Sequence, residues 1–297
     1  MSGLGALDRP ETDCPNVEMA GLDTVWLYVA GTICNLRCTH CFVSCSPDNH
    51  SHGMMTLEDV RVYLDEAARL GVREYYITGG EPFMNRELLP ILEATLRQGP
   101  ATVLTNGLFL DPATCLGLRA IADSADYSLD VRVSLDGWGP EDHDAIRGPG
   151  TFRRAVEGIH NLSERRFIPI VTVTEAAADV AGIDGRARFL DLLRSLGLAR
   201  PRLKVLPLWR IGAEAARGRG YGSAERLSSD GVTPEGLAAL PCSSARAVTT
   251  RGVYVCPILI DEPGARMGAG LKQTLRPFNL SYGACHTCYV TGATCRT

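Results

Sequence analysis

The 297-residue sequence predicts an α/β protein built on a parallel sheet. Three observations carry this reading. Six short runs rich in apolar, β-branched and aromatic residues recur between positions 25 and 208. A stretch with helical spacing of apolar residues follows each of the first five. Loops rich in glycine and polar residues stand directly after the first four runs, which is where a parallel sheet gathers its binding groups. Alternating units of this kind need crossover connections of one hand, and six of them can form either an open doubly wound sheet or a partial barrel.

The first run, VWLYVA at 25–30, has the continuous apolar character of a strand buried on both faces. Thr56 followed by Asp59 resembles a helix N-cap. Leu57, Val60, Leu64 and Ala67 then recur at helical spacing until Gly71 stops the helix. EYYIT at 74–78 precedes a helix opened by Asn85, and ATVLT at 101–105 precedes one from about Asp111. LDVRVSLD at 129–136 leads to a helix from Thr151 carrying Phe152, Val156 and Ile159. IPIVTVT at 168–174 precedes a helix over 184–196, and RLKVLPL at 202–208 closes the series. In the fourth run Asp130, Arg132, Ser134 and Asp136 share one face and Val131, Val133 and Leu135 the other. A buried sheet with one polar face implies a solvated cavity or a bound ligand.

Charged residues make up 22% of the chain and the net charge is −4, so no overall positive field recommends nucleic acid or an anionic membrane as a partner. The first residues lack the basic start and apolar core of a signal peptide, and no apolar run of about 18 residues follows, so a cytoplasmic protein is expected. In that setting eleven cysteines point to metal ligation or catalysis and away from disulfides. Cys115 aside, they fall into two groups, up to position 45 and from position 242.

Cys34, Cys38 and Cys41 form C-x3-C-x2-C on the loop after the first strand. Three thiolates leave a metal site one ligand short, and an incomplete site is where a substrate or cofactor binds. A structural zinc site completed by His40, Cys45 or His50 has the same local spacing. Cys45 reads as a buried structural thiol.

Taken together, CNLRCTHC after the first strand, GGEP at 79–82 after the second, and SLDG with HDAIRGPGTF after the fourth resemble the radical S-adenosylmethionine enzyme superfamily over about residues 22–210. The resemblance implies a partial (β/α)6 TIM-like barrel. It also implies a [4Fe-4S] cluster held by Cys34, Cys38 and Cys41, whose open iron binds S-adenosylmethionine and cleaves it to a hydrogen-abstracting 5'-deoxyadenosyl radical. His40 takes the aromatic place near the adenine. Gly79 and Gly80 allow close backbone approach, Glu81 accepts from the methionine ammonium, and Pro82 fixes the turn. Ser134, Asp136 and Arg147 fall in the matching strand-four and HDAIR motifs, and Ser134 and Arg147 are partners for the carboxylate or ribose. A surface salt bridge is the plainer role for Arg147. Asn106, in the TNG turn at 105–107, stands on the same rim.

From Pro241 the sequence resembles the short auxiliary-cluster form called twitch, related to the longer SPASM form, with one further [4Fe-4S] cluster. Cys242, Cys256, Cys285 and Cys288 are the implied ligands and Cys295 the alternative. The hairpin spacing from Gly252 to Cys256 is one residue shorter than that family's. Cys295 and Cys14 are candidate hydrogen-atom donors. The resulting division is an extension over 1–21, the barrel over 22–210, a linker or lid over 211–240 bearing Arg217, Arg219 and Arg226 just after Arg210, and the auxiliary domain over 241–297.

The implied function is oxidation, epimerisation or cross-linking of a peptide or natural-product intermediate, with an external electron donor such as flavodoxin or ferredoxin. About twenty residues precede the first strand, too few for a peptide-binding domain, so a separate peptide-binding protein is expected. A dehydrogenase or epimerase acting on an aminocyclitol or sugar is the alternative, and a non-catalytic metal-stabilised scaffold is the reading from another class.

Overall fold

A computed structural model describes residues 13–176, 180 and 182–293. In chain order it contains β1 (Asn16–Val17), β2 (Thr24–Tyr28), α1 (Leu57–Leu70), β3 (Glu74–Thr78), α2 (Leu88–Thr95), β4 (Ala101–Thr105) and α3 (Pro112–Ser124). There follow β5 (Leu129–Ser134), α4 (Pro140–Arg147), α5 (Thr151–Glu164), β6 (Ile170–Thr174), α6 (Ile183–Ser195) and β7 (Arg202–Leu206). Beyond these lie α7 (Gly212–Arg217), α8 (Pro234–Ala238), β8 (Ala245–Thr249), β9 (Gly252–Tyr254), β10 (Arg266–Gly268), β11 (Phe278–Asn279) and α9 (Gly283–Thr291).

The six expected strands are β2 to β7, lying parallel in the order of the sequence. This order decides between the two topologies. A doubly wound sheet reverses its strand order at a switch point, whereas a monotonic series with crossovers of one hand puts its helices on one face and curls around the other. The fold is therefore a partial barrel, with β7 at one open edge. On the far side of β2 the sheet continues through β8, which is parallel to β2, and then through antiparallel β9 and β10. β1 and β11 form a separate antiparallel pair that ties the two ends of the described chain together.

Alternation along each strand sorts the core into two layers. Val25, Leu27, Ile77, Val103, Val131, Val133, Val171 and Val173 face the helices and pack with Val60, Leu64, Ile91, Leu118, Ile159 and Phe189. Trp26, Tyr28 and Tyr76 face inward and join Trp209, Ala245, Ala247, Tyr254 and Leu259 in a second cluster. The caps follow from the sequence: Thr56 and Asp59 close a reciprocal capping box, and Asp111 accepts from the Thr114 amide.

Two details differ from expectation. β2 and β5 end earlier than their apolar runs, and Val29, Ala30 and Leu135 beyond them are buried under the loops. Asn85 does not open a helix. A short 3-10 turn occupies Pro82–Met84, and the Asn85 side-chain Nδ2 donates to the Val29 and Met55 carbonyls at 2.8 Å each, so α2 starts at Leu88.

The C-terminal layer is organised by Arg246 on β8, which is 1% exposed. Its guanidinium donates to the carbonyls of Cys242, Ala245, Thr274 and Arg276. Arg246→Met keeps the volume and strands these acceptors, so unfolding stability should fall by about 2–3 kcal/mol in urea denaturation.

Candidate functional site

The carboxyl ends of the barrel strands open into one cavity of about 190 Å³. The loop after β2 supplies Cys34, Cys38, His40, Cys41 and Cys45, the loop after β3 supplies Gly79 and Gly80, and the loop after β4 supplies Asn106. Arg132 and Ser134 come from β5, Thr172 and Thr174 from β6, and Arg147 from the end of α4. The polar face read in strand four thus lines a cavity. Asp130, at the opposite end of that face, instead pairs with Arg202 at 2.7 Å.

The loops are locked to one another before any ligand is considered. A Cβ on Gly80 would sit 2.1 Å from the Ile33 carbonyl oxygen, so only glycine lets the loop after β3 lie against the cysteine loop. Gly79, at φ 138°, is pressed in the same way against Ala30. Glu81 is fully buried and does not line the cavity. Its carboxylate accepts from the Phe83 amide at 3.1 Å, the Thr105 hydroxyl at 2.7 Å and the Asn106 amide at 2.8 Å. Burial still pushes its pKa up to about 7 against those bonds. The geometry therefore gives Glu81 the task of joining two loops. Pro82, also buried, starts the 3-10 turn. Asn106 does more than make a turn: its side-chain amide donates to Asn35 at 2.8 Å and approaches Cys34 Sγ at 4.0 Å.

Asp136 is likewise fully buried and outside the cavity lining. It accepts from His40 Nε2 at 2.9 Å, Arg147 Nε at 2.7 Å and the Thr174 amide at 2.7 Å. Burial works against its charge, but Arg147 and then His40 outweigh burial and hold its carboxyl well below the usual carboxylate range. Arg147 is thus part of a buried ion network and no surface bridge, and its Nη1 reaches Cys38 Sγ at 3.9 Å. His143 accepts the Asp136 amide at Nδ1, 3.0 Å away, leaving its buried Nε2–H without a partner.

Among the thiols, burial pushes Cys34 up to about 12 and Cys38 up to about 11, while the hydrogen bond from Cys45 pulls Cys41 down to about 6. Cys45 is buried, as expected, but it lines the cavity and its amide donates to Cys41 Sγ at 3.3 Å. The four thiols share the cavity without converging as a single-ion site among the described residues. Burial keeps Cys34 and Cys38 protonated until a positive partner arrives, while Cys41 is already poised as a thiolate, so the donor set fits an iron-sulfur cluster rimmed by Asn106, Ser134 and Arg147.

The second group also gathers. Cys285 is buried and Cys242, Cys256 and Cys288 are partly buried in one apolar cluster, where burial first and neighbouring cysteines second push the Cys242, Cys285 and Cys288 thiols up. Cys14 does not line the cavity, and Cys295 lies outside the described residues. The arginines of 210–226 are engaged within the chain. Arg210 and Arg219 pair with Glu225, Arg217 grips Glu214 with two bonds, and Arg226 donates to the Ser281 carbonyl. That segment packs on the cysteine loop, with the Ala213 amide bonded to the Cys41 carbonyl at 2.9 Å.

The cavity floor was not anticipated from the sequence. It is made by Trp26, Tyr28, Leu104, Leu206, Leu208, Trp209, Pro257 and Ile258. Thr172 and Thr174 could have been found, since IVTVT shows the same polar alternation as strand four.

The family model described as the radical SAM superfamily matches residues 28–176. Mycofactocin maturase MftC from Mycobacterium tuberculosis is 33% identical over 153 residues, 51% of this chain and 37% of that protein. AdoMet-dependent heme synthase from Methanosarcina barkeri is 31% identical over 174 residues, 58% of this chain and 47% of that protein. The chain thus spans less than half the length of these relatives. Streptococcus suis SuiB, solved with its precursor peptide SuiA, shares the fold at TM-score 0.66 and 14% identity, covering 91% of this chain and 71% of SuiB.

Burial, seconded by Arg147, lowers the His143 pKa from 6.5 to about 4. The folded state then refuses a proton that the unfolded chain binds, so His143 costs stability as pH falls from about 6.5 towards 4 and nothing above that window. Urea midpoints at pH 5 and pH 7.5 should differ less in His143→Gln than in the unmodified chain.

Proposed function

The chain belongs to the radical SAM superfamily, and on that premise we propose that it cleaves S-adenosylmethionine reductively and removes a hydrogen atom from an apolar group of a peptide or natural-product intermediate. The observation that supports this most is the meeting of Cys34, Cys38, Cys41, Asn106, Ser134 and Arg147 around one cavity at the carboxyl ends of parallel strands. Cys34, Cys38 and Cys41 hold the [4Fe-4S] cluster, and Ser134 and Arg147 orient S-adenosylmethionine. When bound, the cluster and S-adenosylmethionine together would supply the hydrogen-abstracting radical.

The chain's own residues do the rest. Asp136 aims Arg147 and His40, with His40 beside the adenine, and Glu81 keeps the loops after β3 and β4 in register with the cysteine loop. Cys242, Cys256, Cys285 and Cys288 hold one auxiliary [4Fe-4S] cluster. The electron donor is a separate protein such as flavodoxin or ferredoxin.

The tryptophan, leucine and isoleucine side chains of the lining favour a hydrophobic amino-acid side chain over a polyhydroxylated ring. The likeness to a mycofactocin maturase agrees with a role in maturing a natural product. A separate peptide-binding protein would present such a substrate. No helix among the described residues is long and apolar enough to cross a membrane.

Anaerobically reconstituted protein should carry about eight irons per chain, and the Cys34→Ala, Cys38→Ala, Cys41→Ala protein about four. With dithionite, the former should release 5'-deoxyadenosine from S-adenosylmethionine and the latter none. Absence of cleavage with every reductant tried, or full iron in the triple variant, would sink the proposal.

A further inference from the structure

Trp209 belongs to both cysteine groups. The residue is 2% exposed, its ring lines the central cavity, and it meets the ring of Phe42 edge-on with centroids 5.5 Å apart. Phe42 directly follows Cys41. On its other side the indole Nε1–H of Trp209 donates to Cys288 Sγ at 3.4 Å.

An indole N–H can only donate, and a buried one needs a partner. A neutral thiol is a weak acceptor and a thiolate a strong one. Aiming a buried donor at Cys288 therefore makes chemical sense when that sulfur carries charge, as a metal ligand does. The donors at Cys256 come from the backbone of Ile258 and Leu259 and cannot be removed by changing a side chain. The donor at Cys288 can.

We propose that Trp209 is a positioning residue that sets the reduction potential of the auxiliary centre through its N–H···S bond to Cys288, resting on the reading of Cys242, Cys256, Cys285 and Cys288 as ligands of a [4Fe-4S] cluster. Reduction adds one electron, and the added negative charge strengthens the hydrogen bond to the ligand sulfur. The bond therefore stabilises the reduced form and raises the potential. The same ring walls the cavity, so the residue that tunes the centre is also one the substrate touches.

The test uses the full chain carrying Cys34→Ala, Cys38→Ala and Cys41→Ala, reconstituted anaerobically with iron and sulfide, so that all bound iron is auxiliary. Dithionite titration followed by electron paramagnetic resonance gives its midpoint. Trp209→Phe, and the same chain with benzothienylalanine at position 209, lose the N–H, and the second keeps the bicyclic shape if the first disturbs folding. Both should retain iron and shift the reduction equilibrium about tenfold towards the oxidised form, a midpoint about 59 mV more negative. Full iron with an unmoved midpoint in the benzothienylalanine protein overturns the role of Trp209. No iron or sulfide in the parent triple variant overturns the auxiliary-cluster reading and this inference together.

Discussion

The buried carboxylate of Asp136 is the joint on which the cavity depends. It sits just past the end of β5 and accepts from the cysteine loop through His40, from α4 through Arg147 and from β6 through the Thr174 amide. A carboxylate in such a place carries a large desolvation cost, and a guanidinium and a backbone amide offset it only when all three elements are seated. The same ion therefore holds its pKa down and fixes the relative positions of three segments far apart in sequence. Because Arg147 is held at one end by Asp136, its other nitrogens face Cys38 and the cavity with little freedom left to lose on binding a ligand.

A second joint works through close contact and hydrogen bonds. Gly80 lies against the Ile33 carbonyl, and Glu81 bonds to the loop after β4 through Thr105 and Asn106. The GGEP loop is thus a wedge between the cysteine loop and the TNG loop. Its glycines serve contact between loops, and its glutamate is consumed by the protein. What remains facing the cavity, Asn106, Ser134 and Arg147, is a small set of polar groups fixed from behind by buried partners.

Legibility in the sequence followed the range of the physics. β3 and β4 were readable to the residue, because their limits are set by local alternation and flanking turns. The cavity itself was legible in β5, where Arg132 and Ser134 interrupt a buried sheet. What could not be read is whatever depends on distant partners. Glu81 looks like a free acceptor until the TNG loop is folded onto it, and the arginines of 210–226 look like free cations until Glu214, Glu225 and Ser281 are in place. The floor residues Leu206, Trp209 and Ile258 carry no local mark, since an apolar residue facing a cavity and one facing a helix are the same letter.

The C-terminal segment is also more than an appendage to the barrel. β8 pairs with β2 in parallel, so the strand that leads into the first cysteine loop is shared with the layer that carries the second cysteine group. Tyr28 closes the seam: its hydroxyl, which burial pushes well above the usual phenol range, donates to the Pro257 carbonyl at 2.5 Å. Pro257 and Ile258 then enter the cavity wall beside residues of the barrel. With the wall built from both layers, whatever orders Cys256 also shapes the space in front of Cys41.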